Sequence, residues 1–242
     1  VDPSGKYAYV ANEQSNSISQ FTIGADGSLA PMVTATVATG TSPVAVTVDP
    51  SGKYAYVANA AASTVSQFTV GANGALTPMA TPTVTTGTQP YSVVVDPSGK
   101  YAYVANFSSN TVSQFVIGAG GSLTPMATAA VATGTSPLSV TVDPSGKYAY
   151  VANGGSSTVS QFTIGANGSL IPMATAAVST GSTPAFISVD PSGKYAYVAN
   201  AVSNNVSQFS IGADGSLTPL ATAVVSAGTG SRAVTTTYAP TH

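Results

Sequence analysis

The sequence predicts an all-β chain folded as a five-bladed β-propeller, and three observations predict it. The string VDPSGKYAYVAN begins at Val1, Val48, Val95, Val142 and Val189, so one 47-residue unit recurs five times in 242 residues. Each unit holds four short runs of strand formers separated by turn residues, and no segment keeps a helical period. Repeats of roughly 40–50 residues are those of four-stranded blades, because one such unit cannot bury both its faces and must stack on the next. The repeats are 1–47, 48–94, 95–141, 142–188 and 189–235, within a single domain 1–242. The alternative architecture is part of a seven-bladed ring.

The first repeat gives the elements in order. Lys6 to Ala11 alternates aromatic and small residues between Pro3-Ser4-Gly5 and Asn12, and reads as a strand, type B. A polar loop follows, then Ser17 to Ile23 as strand C, β-branched and aromatic. Gly24-Ala25-Asp26-Gly27 closes a hairpin, with Asn73-Gly74, Asn167-Gly168 and Asp214-Gly215 in later copies, dipeptides that tolerate positive φ. Strand D runs from about Met32 to Ala38 and is entered through Pro31, which suits a sheet edge because proline donates nothing to a ladder. After the loop Thr39 to Pro43, Val44 to Val48 is strand A, nearest the propeller axis. The first repeat has no A strand of its own, whereas residues 231–238 align with Val44–Pro50. The expectation is that this last segment closes the ring as the inner strand of the first blade.

Composition excludes several functions. Six Lys+Arg against eight Asp+Glu leave a net charge of −2, too little positive charge to grip nucleic acid. The absence of cysteine removes disulfides and thiol chemistry. No apolar run is long enough for a membrane helix, so no membrane insertion is expected. No cofactor or metal ligand set is apparent.

The repeated residues read as structure. Asp2, Asp49, Asp96, Asp143 and Asp190 all stand in Asp-Pro-Ser-Gly, where the carboxylate bonds backbone ahead of it and Gly supplies positive φ. Tyr7 and Tyr9 leave their strand on one side and read as packing between blades. Differences between copies are the better guide to a site. They fall in the B–C loops and at the starts of A strands, which share one face of an up-and-down blade. Glu13, Tyr91, Phe107, Phe186 and Arg232 are the distinctive members there, and they include the only Glu and the only Arg. A small molecule, glycan or protein is the expected partner on this B–C/D–A face. Glu13 and Arg232 are expected to approach each other across the closed first blade.

Two motifs carry a resemblance. Ser42 to Asn59, with its Val-Thr-Val-Asp-Pro-Ser-Gly-Lys-Tyr-Ala-Tyr-Val-Ala-Asn core, resembles the YVTN-type repeat, and Asn167-Gly-Ser-Leu-Ile-Pro-Met173 resembles a stretch of lactonase-type propellers. Through them and their repeats the chain resembles the 6-phosphogluconolactonase-like family over nearly its whole length. The resemblance implies a propeller, usually of seven blades, and lactone hydrolysis with His, Arg and Glu near the channel. Here the only His is His242. The residues therefore lead to the expectation of a non-catalytic binding or structural scaffold, extracellular or at the cell surface. A lactonase-type hydrolase of sugar lactones is the alternative, and a multivalent glycan-binding propeller the second.

Overall fold

The computed structural model describes residues 1–236. The strand formers of each repeat pair with their sequence neighbours, so every sheet is an antiparallel meander. The first sheet has order β1 (Tyr7–Asn12), β2 (Ser17–Ile23), β3 (Leu29–Ala38). The second runs β4 (Pro43–Val48), β5 (Tyr54–Asn59), β6 (Thr64–Val70), β7 (Leu76–Thr85). The third is β8 (Pro90–Val95), β9 (Tyr101–Asn106), β10 (Thr111–Ile117), β11 (Leu123–Ala132). The fourth is β12 (Pro137–Val142), β13 (Tyr148–Asn153), β14 (Thr158–Ile164), β15 (Leu170–Ser179). The fifth is β16 (Pro184–Val189), β17 (Tyr195–Asn200), β18 (Asn205–Ile211), β19 (Leu217–Ser226). These are the blades of an all-β propeller.

The D strands start earlier than the sequence suggests, at Leu29 rather than near Met32. Gly24 N–H donates to Ser28 O at 2.8 Å, so the hairpin is tight and pairing resumes at once with Ile23 opposite Leu29. The register then slips between Ser19 and Phe21, a bulge that leaves Gln20 unpaired in the ladder. Gln20 fills the gap itself, its Nε2 donating to Thr34 O at 2.8 Å. Pro31 lies on the outer strand, where its missing N–H costs no ladder bond.

The described residues group into two compact units. The first comprises Val1–Ser109 and Ser113–Ala130, the second Asn110–Val112 and the chain from Val131 onward. In the first unit, Tyr9 and Ile18 pack on Ala55, Val57, Phe68 and Leu76 of the next blade. Tyr56, Ala58 and Val65 likewise meet Val93, Val95, Ala102, Val104, Phe115 and Leu123. In the second unit, Tyr150, Ala152 and Val159 meet Ile187, Ala196, Val198, Phe209 and Leu217. Each core is thus the seam between two blades. Tyr and Val of the B strand alternate, so one blade sends Tyr forward and receives on Val.

The seams are tied by polar groups as well. Tyr9 and Tyr56 hydroxyls donate to Gly74 O and Gly121 O, each at 2.6 Å, and Tyr150 does the same to Gly215 O. The bulge glutamines also reach across: Gln20, Gln67 and Gln161 Oε1 accept from the N–H of Leu76, Leu123 and Leu217 at 2.6 Å.

The expected closing strand is not shown. The first sheet has three strands, and among the described residues nothing pairs with the inner edge of β1. Residues 231–236 form no strand, and positions 237 and 238 lie outside the described residues. Thr236 Oγ1 does sit beside β16, donating to Val189 O at 3.0 Å.

Candidate functional site

The two kinds of blade end are built differently. On the turn face, the Asp of each Asp-Pro-Ser-Gly closes the A–B turn. Asp49 Oδ1 accepts from the N–H of Lys53 and Tyr54, both at 2.8 Å, and Oδ2 from the N–H of Ser51 at 3.1 Å and from its hydroxyl. Asp2, Asp96, Asp143 and Asp190 repeat the pattern. Burial opposes ionisation of Asp2 and Asp190, but these donors outweigh it and hold both carboxyls below the usual Asp range. Carboxylates with this many donors have little left to offer a substrate. A cleft of about 300 Å³ opens between neighbouring turns on this face, lined by Lys53, Tyr54, Ser98, Gly99 and Ala119.

The B–C/D–A face carries the backbone strain. Asn16, Ser63, Asn110, Ser157 and Asn204 end the B–C loops with φ between 52° and 56°. Ser42, Gln89, Ser136 and Thr183 take φ between 53° and 58° in the D–A loops. Left-handed backbone is uncommon outside glycine, and for a β-branched residue such as Thr183 it is an outlier. The sequence signals these positions only where Asn stands, since Asn alone among these types favours that region. The two loops are stitched together: Ser42 N–H donates to Asn16 Oδ1 at 2.8 Å, and Ser136 N–H to Asn110 Oδ1 at 2.7 Å. The face is therefore preorganised, although its segments are loops.

Of the residues singled out from sequence, Glu13, Tyr91 and Phe107 belong to the first unit, and Phe186 and Arg232 to the second. Glu13 is exposed on its loop and accepts one hydrogen bond, from the Ser42 hydroxyl at 3.0 Å. Tyr91, 37% exposed, and Phe107 come together with ring centroids 5.2 Å apart and planes tilted by 40°. Phe107 is held by its N–H donating to Gln89 O at 2.8 Å, and Ser108 Oγ bonds Gln89 Oε1. Phe186 (39% exposed) projects from β16, and Arg232 is exposed in the segment 231–236. The structure thus makes one local pair, Tyr91–Phe107, that the sequence did not foresee as a contact. The lone signal was that both depart from their repeat positions.

The Asn that ends each B strand serves the blade. Asn59 Nδ2 donates to Ser66 Oγ at 2.9 Å and Thr64 Oγ1 at 3.1 Å, bonding side chains of strand C. Its copy Asn106 is fully buried.

The family model described as "Lactonase, 7-bladed beta-propeller" matches residues 1–138 and 65–235. No curated protein matches the chain. Among solved structures, a candidate 6-phosphogluconolactonase from Bacteroides fragilis is 25% identical with a TM-score of 0.81, covering 92% of this chain and 68% of its own. The periplasmic gluconolactonase of Pseudomonas aeruginosa shares the fold at 23% identity, with a TM-score of 0.79 over 94% of this chain and 69% of its own. A Lactobacillus plantarum protein does so at 22% identity and 0.84, over 96% and 71%. The expectation of a non-catalytic scaffold, drawn from the missing internal His, is corrected by these matches, which favour the lactonase-type alternative. That expectation rested on single residues, whereas the family match rests on the repeats over nearly the whole chain. A match running from residue 1 to 235, over repeats whose strands, turns and seams are those just described, places this chain in the lactonase family of β-propellers.

Proposed function

We propose that the protein is a lactonase-type hydrolase that opens sugar lactones on the B–C/D–A face. The observation that carries this reading is the family match over nearly the entire chain. The similar proteins named as gluconolactonases support the substrate class.

The reaction adds water to the lactone carbonyl, and the tetrahedral oxyanion then collapses with cleavage of the ring C–O bond to give a hydroxy acid. It needs a base for the attacking water. In the first unit Glu13 fits that role best. Its carboxylate is exposed and takes a single side-chain donor, whereas Asp2, Asp49 and Asp96 are saturated by their turns. Ser42, held in strained backbone, fixes the Glu13 side chain through its hydroxyl. The Tyr91–Phe107 pair supplies an apolar surface suited to the C–H face of a sugar ring.

Hydrolysis of δ-gluconolactone followed by pH-stat tests the proposal. The wild-type chain is expected to open the lactone well above the spontaneous rate, and Glu13→Gln to lose about 10²-fold or more, the usual share of a general base. A wild-type rate equal to the buffer background overturns it.

A further inference from the structure

The hairpin between strands C and D uses one device in four of the five repeats. In Gly24-Ala25-Asp26-Gly27-Ser28, Asp26 Oδ1 accepts from the Ser28 N–H at 3.0 Å and from its hydroxyl at 2.6 Å. Asp214 takes the same bonds from Ser216 at 3.0 and 2.7 Å, and Asn167 from Ser169 at 3.1 and 2.7 Å. Asn73 Oδ1 accepts from the Ala75 N–H at 3.1 Å. Asp26 and Asp214 are held below the usual Asp range, first by the serine hydroxyl and then by the serine N–H. The turn thus offers a pair of donors that favours a charged oxygen.

The third repeat keeps the donors and lacks the acceptor. It reads Gly118-Ala119-Gly120-Gly121-Ser122, with glycine where the other copies have Asp or Asn. The Ser122 C=O accepts from the Gly118 N–H at 2.9 Å, but among the described residues no acceptor bonds its own N–H or hydroxyl. The position of the missing oxygen can be read from the other turns. A Cβ on Gly24 or Gly212 would lie 2.7 or 2.8 Å from the Asp oxygen, so that oxygen sits against the first glycine of the turn. On Gly118 the same Cβ meets only Ser122, its Oγ at 3.3 Å and its O at 3.6 Å.

Gly118 lines the cleft of about 300 Å³ on the turn face, between the second and third blades within the first unit. That volume is at the lower end of small-molecule sites. Lys53 borders the cleft with an exposed side chain. Asp49 is also on its edge, but the donors of its own turn already occupy both its oxygens.

We propose that this cleft binds a small free carboxylate of the size of a sugar acid. One ligand oxygen takes the place that Asp26 Oδ1 holds in its own turn, accepting from the Ser122 N–H and hydroxyl beside Gly118. The Lys53 ammonium offsets the ligand's charge. The chemistry is specified because two other turns of the same chain show the group that fits these donors. Glu13 stands on a B–C loop, so this site is separate from the proposed hydrolysis and does not depend on it.

Titration with sodium gluconate, followed by two-dimensional amide NMR, tests this. The Ser122 amide signal is expected to move saturably, and sodium chloride at equal ionic strength to leave it in place. Gly120→Asp gives the turn the pentapeptide of Gly24–Ser28 and Gly212–Ser216, a hairpin the chain already forms twice. Gly120 lies outside left-handed backbone, and a Cβ there meets nothing within 4 Å, so the variant is expected to fold. Its own carboxylate occupies the donors, and the gluconate response is expected to vanish. Lys53→Met is expected to weaken binding about two- to fivefold, the size of an exposed ion pair. No saturable shift in the wild-type chain, or an equal shift with chloride, overturns the proposal. So does binding that persists in Gly120→Asp or is unchanged in Lys53→Met, since either would place the carboxylate elsewhere.

Discussion

Where two blades meet, a tyrosine ring lies against a glycine at which a Cβ would clash. Gly121 holds a left-handed φ of 81° and lies under the ring of Tyr54, whose hydroxyl reaches Ala119 O at 3.0 Å. Gly5 has a similar φ of 70° but faces open space. The two sites therefore separate backbone strain from steric overlap. Gly5→Ala is expected to cost about 1 kcal/mol for the unfavourable φ. Gly121→Ala is expected to add about 1–3 kcal/mol of overpacking to that. Thermal melts of the pair check it, and equal losses would show that Tyr54 moves aside freely.

At the scale of one element, the bulge on the D strand opposite Gln67 decides how blades couple. The pairing passes from Ser66 opposite Thr83 to Phe68 opposite Pro78, so Gln67 faces the extra residues of β7 and its side chain is directed to their backbone. Nε2 then donates to Thr81 O at 2.9 Å within the blade, while Oε1 accepts from Leu123 N–H at 2.6 Å on the next. One side chain thus satisfies the gap it sits in and ties two sheets. Gln67→Leu keeps the volume and strands the buried Leu123 N–H, at about 1–3 kcal/mol, while the exposed Thr81 C=O can turn to water. Denaturant unfolding is expected to show that loss, and a change within error would mean that the seam relaxes around the substitution.

Across the whole molecule, phenols between sheets link stability to alkaline pH. Burial, then the charges of Asp2 and Tyr7, push the Tyr9 hydroxyl up to about 12. Tyr56, Tyr103 and Tyr150 are driven further in the same direction, again by burial first. An unfolded tyrosine ionises near about 10. The folded chain therefore holds these protons more tightly than the unfolded one, so the contribution is complete below that value. It is lost as pH rises from there through the folded pKa values. Melting temperature is expected to fall steeply above about pH 10, together with a late, cooperative tyrosinate absorbance. Tyrosinate appearing near the unfolded value while the fold persists would contradict the buried seams.

Much of this protein was determined by sequence alone. Five copies of one string set the number of blades, and β-branched and aromatic runs between Gly-, Pro- and Asn-rich turns set the strands, because both signals are local. The meander topology followed from turn lengths, since short connections leave a strand no partner but its neighbour. The tertiary structure alone decided what joins nonlocal residues. Register slips placed Gln20 and its repeats across the seams, and no propensity marks a bulge before its partner strand is known. Tyr91 and Phe107 met because a B–C loop folds over the start of an A strand, sixteen positions away in the chain. The strained Ser42 backbone was equally hidden, for serine gives no local sign of a left-handed φ. Sequence could name Glu13 by its rarity, but only the fold showed which carboxylates the turns had already saturated.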